Sequence, residues 1–196
     1  MNIGRPREFD PDQVLDQAMH VFWAQGYKNT SLQDLLDATG LSKSSLYQAY
    51  GSKHQLFIAT VDHYYTTFAK EMSVRFERAG TGFAFIEGFL NDAVRETEGS
   101  ACRRGCLLVN TANECAQGDA AIADAVSKGF EKVKSILYRA IEQGRVDGSV
   151  SPHVNSKFMA SYLLSSMTGL RTMVKGGAAT SEIRHIVAIV LSNLTK

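Results

Sequence analysis

Residues 30–56 read TSLQDLLDATGLSKSSLYQAYGSKHQL, and three helix-start signals follow one another inside them. Thr30 with Gln33 three positions on is a capping box, in which a hydroxyl opens a helix and a longer side chain reaches back to the cap. The short helix it opens carries Leu32, Leu35 and Leu36. Gly40 closes it, because glycine tolerates the left-handed backbone at a helix end. Ser42 caps a third helix from Lys43 to about Tyr50. Leu46 and Tyr50, four apart, face inward, while Lys43, Ser44, Tyr47 and Gln48 point out. After Gly51, Ser52 and Gln55 repeat the box and start a long helix through Phe57, Val61, Tyr64, Phe68 and Met72, ending near Arg78 ahead of Gly80 and Gly82. Two short helices joined by Thr39-Gly40-Leu41 and packed on a preceding helix make a helix-turn-helix, whose second helix is sized for a DNA major groove.

The preceding helix is signalled just upstream. Asp10 stands as N-cap, Pro11 at the first helical position and Gln13 three residues after the cap, and Gly26 stops the helix. Val14, Leu15, Ala18 and Phe22 share one face, widened by Val21 and Trp23. Downstream, helical periodicity predicts helices over 83–97, 105–116, 120–144, 152–175 and 180–194, with Gly-containing breaks between them. Alternating β-branched runs are missing. The chain therefore reads as all-α, about nine helices, with an N-terminal three-helix unit over residues 1–52 and a larger helical body over 53–196.

Composition agrees with a packed protein. The chain has 196 residues, 44% hydrophobic and 21% charged, with three prolines, which is enough for one domain with a sizeable core and unlike a disordered chain. No run of 18 uncharged apolar residues occurs, and the opening MNIGRPREFDPD is charged where a signal peptide would be apolar, so a cytoplasmic protein without a membrane span is expected. Three cysteines, Cys102, Cys106 and Cys115, are an odd number and argue for reduced thiols. The five histidines are scattered, so no metal and no cofactor is expected. Net charge is +1, so any affinity for nucleic acid must be local. Residues 1–55 hold five Lys and Arg against six Asp and Glu, yet no acid lies on the third helix.

The stretch from Ala18 through Phe22, Gly26, Thr30, Ala38, Gly40, Ser42, Leu46, Tyr47 and Tyr50 to Lys53 and Leu56 resembles the N-terminal pattern of the tetracycline-repressor (TetR) family. The resemblance covers about a quarter of the chain. It departs at Ala49, where members often carry an aromatic ring or histidine that meets the DNA backbone. The resemblance implies a homodimeric, ligand-responsive transcriptional regulator, usually a repressor, whose body binds an effector and whose last two helices pair with their twins on a palindromic operator. The stripes Ile183, Ile186, Val187, Val190, Leu191, Leu194 and Tyr162, Leu163, Ser166, Gly169, Leu170, Met173 suit that pairing, with Ser165 allowing close approach. Intrachain core is the other reading of the same stripes. A helical ligand carrier or an enzyme is the alternative function. Against it, no nucleophile elbow, phosphate loop, zinc helix or supported carboxylate pair is present.

The residues expected at DNA follow from donor chemistry. Lys43 suits a base edge or phosphate, Ser44 and Gln48 suit bases, and Tyr47 suits a phosphate, although an ordinary solvated helix face would look similar. Lys53, a cation in the first turn of the fourth helix, opposes the helix dipole unless an anion lies there. Arg5 and Arg7 flank Pro6 in a short arm that reads either as a minor-groove contact or as a plain tail. Thr30, Ser31 and Ser45 complete the expected interface.

In the body, Cys102-Arg103-Arg104-Gly105-Cys106 resembles a branch of the family with a Gly-Cys pair at the start of its sixth helix, some members of which sense electrophiles or oxidants. Cys106 beside a helix N-terminus, with Arg103 and Arg104 near, would be favoured as thiolate. Small buried cysteines are the competing reading. Phe85 and Phe89, with Asn110, Asn113 and Glu114 on the next helix, suit a mostly apolar effector pocket with a few orienting polar groups, and equally a plain core with a wet edge.

Overall fold

The computed structural model describes residues 9–98 and 104–195, so Arg5, Arg7, Cys102 and Arg103 lie outside the described residues. Among the described residues there are nine α-helices and no strand: α1 (Pro11–Gln25), α2 (Leu32–Thr39), α3 (Lys43–Tyr50), α4 (Lys53–Arg78), α5 (Gly82–Glu98), α6 (Leu107–Cys115), α7 (Ala120–Asp147), α8 (Ser156–Lys175) and α9 (Thr180–Ser192). No helix among them is long and apolar enough to cross a membrane.

Most helix starts are made by the residues that the pattern selects. Asp10 caps α1 by accepting from the Asp12 N–H, with Pro11 leading the helix. Ser42 and Ser52 cap α3 and α4 through the N–H groups of Ser45 and Gln55. α2 differs. Its cap is Ser31, which shares a reciprocal capping box with Asp34 (3.1 and 2.7 Å), not Thr30 with Gln33. Thr30 is buried, and its hydroxyl donates to the Gly26 carbonyl (2.6 Å), tying the turn back to the end of α1. Gly144 does not end α7, which runs on to Asp147 and stops at Gly148, φ +79°. Gly144 and Gly82 are instead contact glycines. A Cβ on Gly82 would overlap the Ala140 carbonyl and the Gly144 backbone, so α5 and α7 touch at backbone distance. α8 starts at Ser156, capped by Asn155, later than the periodicity predicts, because residues 152–154 form a turn.

Two core clusters fill the molecule. One gathers α5, α7, α8 and α9 around Phe89, Leu137, Leu163 and Leu170. The other joins Ala18, Phe22, Leu35 and Leu46 of the first three helices to Leu56, Phe57 and Val61 of α4, and on to Leu108, Cys115 and Ile122. Aromatic edges bind this second cluster, with Phe57 lying 4.8 Å from Phe22 and 4.7 Å from Tyr27 between ring centroids. The apolar stripe of α9 turns inward in the chain itself, since Ile183, Val187, Val190 and Leu194 are all buried. Leu163 and Leu170 of α8 do the same.

Candidate nucleic-acid interface and effector cavity

α3 is an eight-residue helix seated on the core by Leu46, with Tyr50 packed beside it. Leu46 is fully buried against the second core, while Lys43, Ser44, Tyr47 and Gln48 are exposed together on the opposite side. Tyr47 keeps 42% of its surface exposed, a large apolar ring turned to solvent. That face offers an ammonium, a hydroxyl, a phenol and an amide, with no carboxylate. Such a set donates to phosphate oxygens and to base edges. Ser45 is half-buried and its hydroxyl meets that of Ser42 (2.9 Å), so it serves the helix cap. Ser31 is exposed at the start of α2, where its hydroxyl also caps. Thr30, buried with its hydroxyl engaged, presents no side-chain group outward.

Lys53 is the first residue of α4, and its Nζ lies over the Tyr27 ring, 4.6 Å from the centroid. This cation–π contact holds a flexible side chain beside the amide end of α4, where the helix dipole and the ammonium attract the same anion. Tyr27 is missed by the sequence pattern, although an aromatic residue just past Gly26 is a usable signal. Burial, and then the Asp119 carboxylate, push its phenol pKa up, so the ring remains neutral beneath the cation.

In the body, Cys106, Tyr64, Phe68, Phe89, Leu108, Phe130, Met167, Thr168 and Arg171 line a small apolar cavity. Its free volume is about 20 Å³. That is room for roughly one water. Cys106 is the buried N-cap of α6, with no side-chain cap bond. Burial, then the neighbouring Cys106, push the Tyr64 phenol well above its ordinary pKa. Arg171 is the cation of this cavity. Its side chain is 13% exposed, its Nε donates to Glu96 at 2.9 Å, and its guanidinium lies over Phe68. Burial alone would lower Arg171, but the Glu96 carboxylate, followed by Cys106 and Tyr64, raises it. Arg104, expected to act on the thiol, instead reaches His20 on α1 (3.3 Å). Sequence reasoning missed Tyr64, Phe68, Phe130 and Arg171. The arginine was detectable as a charge beside the apolar residues Leu170 and Val174 of α8.

Only Phe89 and Cys106 of the expected effector residues line this cavity. Phe85 is core, edge-on to Phe76 at 5.2 Å. Asn110, Asn113 and Glu114 face a different space, a cleft of about 390 Å³ between α6, the end of α1 and Lys175. Asn110 bridges the Arg104 carbonyl (2.9 Å) and the Lys175 ammonium (3.0 Å). The Glu114 carboxylate accepts from the N–H groups of Tyr27 (3.0 Å) and Lys28 (2.7 Å).

Residues 14–60 match the family model for bacterial regulatory proteins of the tetR family, and residues 82–189 match that of the tetracyclin repressor-like C-terminal domain. The chain is 30% identical over 196 residues to an uncharacterized HTH-type transcriptional regulator, YezE, of Bacillus subtilis, covering 98% of this chain and 100% of that protein. It is 28% identical over 190 residues to the HTH-type transcriptional repressor ComR of Escherichia coli, covering 96% and 90%. Among solved structures it resembles a cysteine mutant of the TetR family regulator CifR complexed with 26-base-pair operator DNA, with a TM-score of 0.81, 27% identity, and 96% and 98% of the two chains covered.

Proposed function

Because this chain belongs to the tetR family of DNA-binding transcriptional regulators, we propose that it acts in the cytoplasm as a homodimeric repressor of a palindromic operator, released when an effector enters the cavity at Cys106. The observation that carries the DNA half is the acid-free outer face of α3, presented by a helix whose other side is plugged into the core. The test is selection of tight-binding duplexes from random DNA by the purified protein, then titration of the winner against scrambled DNA at two salt concentrations. A palindromic winner with a clear specificity ratio is expected. No enrichment would turn the reading toward a helical ligand carrier or enzyme.

The effector half rests on the cavity. Its walls call for a small apolar molecule, with an acceptor group for Arg171 or Tyr64. Free space for about one water means that such a molecule must displace side chains from α4, α6 and α8, which is how differential affinity for two states arises. A ligand with roughly hundredfold preference for the released state supplies about 2.7 kcal/mol. An effector with an activated C=C bond would add the Cys106 sulfur to its β-carbon, the π bond breaking and a proton returning to the α-carbon, so that no leaving group is needed. Limiting iodoacetamide at neutral pH, read by mass spectrometry, separates the two kinds. Cys106 reacting ahead of a free thiol supports covalent sensing, and slower reaction removes it. Cys115 serves as the unreactive reference, its thiol pushed up first by burial and then by Glu114.

The dimer is supported by what α8 and α9 leave outside. Phe158 (72% exposed), Ile189 (59%) and Tyr162 (41%) stand out on these helices, beside the exposed Ser165 and Gly169. Nothing within 4 Å would meet a Cβ on Gly169, so a second helix can approach closely there.

A further inference from the structure

α1 ends at Gln25, and Gly26 (φ +81°) turns the chain while its own N–H still bonds the Phe22 carbonyl (2.8 Å). The next two N–H groups, of Tyr27 and Lys28, have left the helix. Each donates to a different oxygen of Glu114, which lies more than 80 residues away in the last turn of α6. We propose that Glu114 is a positioning residue for DNA recognition, a carboxylate joint that fixes the angle of the helix-turn-helix unit on the body and hence the spacing of half-sites that the dimer accepts.

Four observations carry this. Two charge-assisted bonds from consecutive amides to both oxygens of one carboxylate fix rotation as well as distance, which a single bond does not. The joint also bridges a gap. α1 packs mainly on α2 and α4, and beside Glu114 lies the 390 Å³ cleft, so a polar arm does here what apolar packing does elsewhere. Gly26 has no side chain where Glu114 passes, and a Cβ there would lie 2.7 Å from its Oε2. Finally, the residue held by the joint leads directly to the DNA face. The Tyr27 ring carries Lys53, and Thr30 closes the same turn one residue before the Ser31 cap of α2. A second tie, His54 Nε2 to Asp119 Oδ2 at 2.6 Å, pins the start of α4 to the start of α7, so polar bonds join the head to the body at two separate points.

The proposal rests on the reading of the chain as a dimeric operator binder, and the experiment separates the two. The full-length wild type and Glu114→Gln are titrated with the selected palindrome and with the same palindrome carrying one extra central base pair. That insertion rotates the half-sites by about 34° and parts them by about 3.4 Å. The wild type should lose about a hundredfold in affinity on the insertion, because rigid heads cannot engage both half-sites. Glu114→Gln should lose less than about tenfold, with its dimer intact and its melting temperature within a few degrees of wild type. Gly26→Ala, which keeps the carboxylate's charge but sets a Cβ against its Oε2, should relax spacing in the same way, and Asn113→Ala should discriminate as the wild type does. Undiminished discrimination by Glu114→Gln would overturn the proposal. So would an equal loss on both duplexes that tracks a fall in melting temperature, which is the signature of a merely structural role. If the wild type selects no duplex at all, the operator-binding reading falls, and this one falls with it.

Discussion

Lys53 sits where an ammonium should be disfavoured, at the amide end of α4, yet the fold holds it there on the Tyr27 ring. That arrangement makes sense for a group awaiting a phosphate, and Lys53→Ala should weaken binding roughly uniformly across DNA sequences while reducing the salt slope by about one per subunit. Titration at several salt concentrations reads this directly, and an unchanged slope would remove Lys53 from the interface. Leu46 and Tyr47 are chain neighbours with opposite duties. Leu46→Ala removes a fully buried plug and should cost about 2–5 kcal/mol in urea unfolding. Tyr47→Ala should leave stability within about 0.5 kcal/mol and abolish operator binding. At this scale the sequence could assign sides of a helix but not choose between adjacent caps. Thr30-Gln33 and Ser31-Asp34 both have the spacing of a capping box. What selects Ser31 is the burial of Thr30 against the end of α1, a contact between helices.

Among the elements, the start of α2 has a pH signature. The Ser31 backbone N–H, and then its hydroxyl, hold the Asp34 carboxyl below the usual carboxylate range. A group whose pKa is depressed on folding contributes stability above its unfolded value, near 4, and loses it as pH falls through the folded value. The melting-temperature gap between wild type and Asp34→Ala should therefore be full at neutral pH and narrow below about pH 4. A gap of constant size from pH 7 to pH 3 would show that the cap is not held by the ionised form. α6 is the element whose role changed most between pattern and structure. Its polar residues were legible as polar, and they read as effector contacts. The helix instead has Cys106 in one cavity at its start and Glu114 on the turn after α1 near its end, and its nine residues span about 13 Å between them. It therefore links the cavity at Cys106 to the turn that leads into α2.

For the whole molecule, two sites on one chain become a switch only if two chains act together. Charge in the first 55 residues is nearly balanced, so on the proposed reading one subunit would make few phosphate contacts and pairing would double them. Phe158→Asp with Ile189→Asp should convert the dimer to a folded monomer by sedimentation velocity, since both side chains are exposed and contribute little to the subunit's own core. Operator affinity should then fall by about a hundredfold or more, the scale of lost bivalency. A double variant that remains dimeric would place the interface elsewhere.

Helix identity, order and most boundaries were local information. Caps, glycine stops and 3.6-residue periodicity act within a few positions, so the sequence alone determined the nine helices among the described residues, the helix-turn-helix and which side of α3 is exposed. Pairing between distant positions was decided only by tertiary structure. Phe85 and Phe89 lie one turn apart on α5, yet one is core and the other lines the cavity, because α4, α7 and α8 close around them unevenly. Gly144 reads as a helix stop and serves as a close-packing surface for Val150, since the chain after α7 folds back on it. Arg171 becomes the cavity's cation through Glu96, 75 residues away, and Glu114 becomes a joint through two amides more than 80 residues away. The physical reason is the same in each case. A side chain's secondary structure is set by its near neighbours in the chain, but its partner is whatever the packed helices bring within about 3 Å of its polar atoms.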